Sequence, residues 1–67
     1  MNIFAALTDD ALRLANARHF MAQARWEAEH NNRAGLHRAT AAAISNAQGL
    51  TIEADVRAEA SELLAHF

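Results

Sequence analysis

The chain has 67 residues, a formal charge of −2 and an apolar fraction of 52%. It has no Cys or Pro, and Arg is its only strong base. These numbers exclude a disulfide miniprotein and a Cys-ligated zinc module, argue against a turn-rich β fold, and leave one domain, residues 1–67.

Eighteen of the apolar residues are alanine and only seventeen are bulky. Alanine buries little surface but lets helices approach closely. Small chains with neither disulfides nor metals commonly gain burial by oligomerising. The expected fold is therefore all-α, a small helical bundle of two to three helices per chain completed by homodimerisation.

The first helix is expected over about 8–31. Thr8 is its candidate N-cap, and Asp9 and Asp10 fall in the first turn, where the helix dipole favours negative charge. Asn2 could instead cap an earlier turn that adds Ile3 to Leu7. The body is rich in Ala, Leu, Arg, Glu and Gln, all strong helix formers. Leu7, Leu14, Met21 and Ala28 recur every seven residues with Ala11, Ala17 and Ala24 beside them, which resembles a short coiled-coil seam. Arg18 and Arg25 border that stripe. Phe20 points away from it, Leu12 and Trp26 sit at a margin, and Glu27 lies toward the polar arc. A helix with apolar groups on several sides packs against several neighbours.

Asn31, Asn32 and Gly35 mark a break. A second helix is expected over about 35–47, with Leu36, Ala39, Ala43 and Ala47 on one thin face and Ile44 flanking it. Gly49 is placed as a left-handed C′ cap. One alternative joins the first two helices into a rod, since a single Gly costs only about 1 kcal/mol in a helix. The third helix is expected over about 52–66 with Thr51 as N-cap. Its stripe is Ile52, Val56, Ala60, Leu63 and Phe67, with Leu64 at the edge.

Charge is unevenly placed. Residues 11–40 carry five Arg against Glu27 and Glu29, and residues 51–67 carry Glu53, Asp55, Glu59 and Glu62 against Arg57. The seam arginines can pair with Glu29 across a two-fold axis or with the acids of the third helix. No stretch reaches the length of a membrane-spanning helix, and the first ten residues lack the pattern of a signal peptide, so a cytoplasmic protein is expected.

No arrangement of nucleophile, base and orienting group is visible, and neither catalysis nor a cofactor is expected. Glu27-x-x-His30 has the spacing of di-iron carboxylate bundles. It recurs often by chance, so no metal site is assigned. Residues 40–57 can be read as a degenerate helix-turn-helix, but its recognition helix is acidic and would repel phosphate, so nucleic-acid binding is only the alternative.

What remains is protein binding. Trp and Arg dominate interface hot spots, and Phe is enriched in interfaces. The expected function is a small non-enzymatic regulator or inhibitor, acting on a partner protein through Arg18, Phe20, Arg25, Trp26 and Arg33.

Overall fold

A computed structural model describes residues 8–67. It holds three helices, α1 (Asp9–Glu29), α2 (Arg33–Ala47) and α3 (Glu53–Ala65). Leu7 and the possible extension through Ile3 lie outside the described residues. Thr8 caps α1 as expected, its hydroxyl accepting from the Ala11 N–H at 3.1 Å.

The first two helices are separate, not one rod. Asn31 takes a left-handed φ of 55°, which Asn tolerates better than most residues. The Asn32 N–H then donates to the Glu27 carbonyl at 2.9 Å, and the Asn31 N–H to Ala28 at 3.2 Å. This pair of bonds is a Schellman motif, which satisfies carbonyls that the helix end leaves open. Asn32 immediately caps α2, its side-chain oxygen accepting from the Gly35 N–H at 3.0 Å. Two adjacent asparagines thus stop one helix and start the next, and α2 begins at Arg33 rather than at Gly35.

The hairpin sends α2 back along α1. At the far end the Arg13 guanidinium donates to the carbonyls of Asn46 and Gln48, placing a cation at the C-terminus of α2, where the helix dipole favours it. Gln48 (φ −56°, ψ 123°) and Gly49 (φ 80°) form a type II turn, closed by the Leu50 N–H on the Ala47 carbonyl at 2.9 Å. That turn demands a positive φ at Gly49. Gly49→Ala is expected to lower stability by about 1 kcal/mol through backbone strain alone, because a Cβ there meets no atom within 4 Å. Urea unfolding of the two proteins measures it.

The sequence places the α3 N-cap at Thr51, but the cap residue is Ile52, which makes no side-chain cap bond. Glu53 supplies the closure instead, accepting from the Gly49 N–H and from Arg57, each at 3.0 Å. A carboxylate in the first turn can reach back to an open N–H, so the hydroxyl is dispensable. By Glu59, α3 has returned to the level of Arg25. It therefore runs with α1 and against α2.

The buried apolar set is Ala17, Met21, Ala24, Leu36, Ala39, Ala43, Ala47, Val56 and Ala60. Six of these nine are alanine, and among the described residues Leu36 is the one bulky side chain with no exposure at all. The heptad read as a coiled-coil seam faces this core, with Met21 buried and Leu14 and Ala28 half-buried. Phe20, expected out of phase, is half-buried and packs on the core, since the helix directions that meet α2 and α3 together span a wide arc. Phe67, expected on the α3 stripe, is exposed.

Glu27 also departs from the sequence reading. It is not on the polar arc but is 7% exposed, lying over Gly35. A Cβ at position 35 would overlap the Glu27 carboxylate. The glycine makes room for the carboxylate between the helices.

Candidate functional site

Between α1 and α3 lies an open groove of about 370 Å³. Met21, Ile52 and Val56 form its apolar floor, Arg18 and Arg25 stand on the α1 side, and Asp55 and Glu59 on the α3 side. The arrangement follows from helical phase. Arg18 and Arg25 are one heptad apart and share a face, as do Asp55 and Glu59 at four residues.

Arg25 bridges the groove to Glu59 with two hydrogen bonds of 2.6 and 3.0 Å. The seam arginine therefore pairs with α3 of its own chain. The Arg25 hydrogen bonds, together with its charge, hold the Glu59 carboxyl below the usual carboxylate range. Glu53 is lowered as well, first by the Gly49 N–H and then by Arg57.

A folded value below the unfolded one gives stability that is fully present above about pH 4.5. It is lost as pH falls through the depressed values. Stability should thus decline in acid below that point. Arg25→Gln should remove the Glu59 share while leaving the Glu53 share, as pH-dependent thermal unfolding would report. The effect is small, because both partners are substantially solvated.

Trp26 is 54% exposed and points away from the core. His30, one turn later, stacks on it at 3.8 Å and 19°. The His30 Nδ1 lies 2.7 Å from the Trp26 carbonyl. A carbonyl can only accept, so Nδ1 carries the hydrogen. His30 thus covers one face of the indole, and Trp26 still keeps about half of its surface exposed.

Arg33 is exposed at the first position of α2. The dipole disfavours a cation there, the first turn holds no acid, and among the described residues Arg33 makes no ion pair.

The five residues singled out from the sequence thus divide. Arg18 and Arg25 share the groove, Trp26 stands on the outer face of α1, Arg33 lies beyond the hairpin turn, and Phe20 belongs to the core margin. Glu27 and His30 diverge, one lying over Gly35 and the other outward on Trp26. Among the described residues no cluster of three His, Asp or Glu could hold a metal ion. No described helix is long and apolar enough to cross a membrane. Glu59 is one of the α3 acids that the sequence offers to the seam arginines, and Arg25 pairs with it; Arg13, which joins α1 to the end of α2, carries no such signal. Arg13 becomes legible once an antiparallel hairpin is assumed, since α2 must then end beside it.

No family model matches the chain, and no curated protein or solved structure matches it.

Proposed function

We propose that this protein is a small non-enzymatic protein-binding regulator, built as a homodimer, that engages a partner protein along the α1–α3 groove. One observation carries the dimer, and the lining of the groove carries the partner site. Among the described residues the chain fully buries a single bulky side chain while leaving Leu12 and Trp26 about half exposed on one helix. Ala15, His19 and Ala22 are exposed between them on the same side of α1, and a contiguous exposed strip of this kind marks a surface for association.

The groove supplies specificity. Its floor is apolar, as the docking of an amphipathic helix requires, and its rim carries both signs of charge. Among the described residues Arg18 is the free cation of that rim, since Arg25 is engaged by Glu59. Arg33 supports the reading from outside the groove. A residue that breaks a local electrostatic rule without a structural return is a candidate for an intermolecular role.

Affinity capture tests this. Wild-type protein should retain a stoichiometric partner, and Arg18→Glu should lose it, by tenfold or more in affinity, with its helical content unchanged. Arg18 makes no hydrogen bond or ion pair among the described residues, so the fold is not at stake. Equal capture by both proteins, or none by wild type, contradicts the assignment.

A further inference from the structure

Leu12, Ala15, His19, Ala22 and Trp26 are spaced 3, 4, 3 and 4 residues apart. All five are exposed. At 100° per residue they form one strip on the side of α1 opposite Ala17, Met21 and Ala24. This is a second heptad seam on a helix whose first seam is already filled by its own chain. Among the described residues only Leu12, Trp26 and Phe67 are large exposed apolar side chains, and two of these three lie on the strip.

We propose that the strip is occupied by the same strip of a second copy, running antiparallel, with Trp26 of each chain seated over Ala15 of the other. The inference rests on the dimer named above and specifies its surface and orientation.

In an antiparallel heptad pairing each a position meets a d position of the other helix. Pairing 26 with 15 also pairs 19 with 22, so both bulky central residues fall on alanines and the helices can close without voids. A parallel pairing would put Trp26 on Trp26 and Ala15 on Ala15, crowding one layer and emptying the next. The antiparallel arrangement is self-complementary about a two-fold axis, as an isologous interface must be. At the ends Leu12 lies along the aliphatic stem of Glu29. Opposed helices also bring each positive dipole end beside a negative one.

The strip carries no fixed charge. Of the two arginines on its flank, Arg25 is bonded to Glu59 and Arg18, unpaired among the described residues, faces the groove. In this register residues 12–29 of the two helices overlap over about 26 Å, a contact smaller than the roughly 1,200–2,000 Å² of standard stable interfaces. The dimer should therefore exchange with monomer.

The chain has no Cys, which permits a direct test. Ala15→Cys and Trp26→Cys are prepared singly, mixed, and joined with a short thiol-specific crosslinker. The expected product contains one chain of each kind. Neither variant should link to itself, because like positions lie about 16 Å apart along the antiparallel pair. Crosslinked dimers in which both chains carry the same substitution would overturn the orientation.

Trp26→Cys removes one anchor, so a second variant keeps both. Ala15→Trp lies on an exposed position and leaves the core untouched. It should shift the protein from dimer to monomer in sedimentation equilibrium with unchanged helicity. A dimer that tolerates Ala15→Trp would place the interface elsewhere. Partner capture by wild type and Arg18→Glu is read separately, so failure of the strip and failure of the groove are distinguishable.

Discussion

Leu36→Ala should cost about 3 kcal/mol, near the lower end of the range for truncating a fully buried leucine. A chain of 67 residues has a total stability of roughly 3–10 kcal/mol. One substitution therefore removes much of what holds this protein folded. The size of the effect follows from the company Leu36 keeps. It is the single bulky residue with no exposure among those described, and Ala39, Ala43, Ala17 and Ala24, which share its core, are too short to move into the space it leaves. Chemical denaturation should show a lower midpoint with similar slope. A loss under about 1 kcal/mol would mean that the core is held elsewhere.

Ala43→Leu should be nearly as damaging for the opposite reason. Ala43 has no exposed surface and sits in the core on α2. A larger side chain there forces the helices apart, which typically costs about 1–3 kcal/mol. Ala41 is a matched control, since it lies on the exposed side of the same helix and Ala41→Leu should change stability by less than about 0.5 kcal/mol. Thermal unfolding of the pair separates close packing from helix propensity, because both substitutions ask the same of the backbone. If the two variants melt together, alanine at position 43 is there for composition and not for packing.

Both predictions express a trait visible in composition. A chain with eighteen alanines was expected to pack its helices closely around few bulky residues, and the buried set has that character. Helix number and approximate limits were also legible, because Thr8, the Asn31–Asn32 pair and Gly49 punctuate the chain with distinct backbone chemistry.

Three features were not legible, each for a physical reason. The Leu14–Met21–Ala28 heptad has the same spacing whether it faces a second chain or the chain's own α2 and α3, so periodicity alone could not assign it. Glu27 read as polar surface, because nothing in the sequence reveals that Gly35 will lie beneath it. Phe20 falls out of phase with a single stripe, whereas a helix touching two neighbours presents a wider face.

The candidate site was legible in kind and not in grouping. The sequence brought Arg18, Arg25 and Trp26 together by proximity along one helix. The fold separates them by about a quarter turn, giving the arginines to the groove with Asp55 and Glu59 and leaving Trp26 on the outer strip. Arg25 was expected to pair with an acid, but whether that acid was Glu29 of a second chain or one on α3 depended on a tertiary arrangement the sequence does not spell out. It is Glu59.

In the proposed assembly this chain completes its burial by association through α1. Sedimentation equilibrium of the unmodified protein across the micromolar range tests it most directly. The predicted result is a reversible monomer–dimer equilibrium approaching twice the 7.3 kDa chain mass, shifted to helical monomer by Trp26→Ala. A folded monomer at every concentration would contradict it.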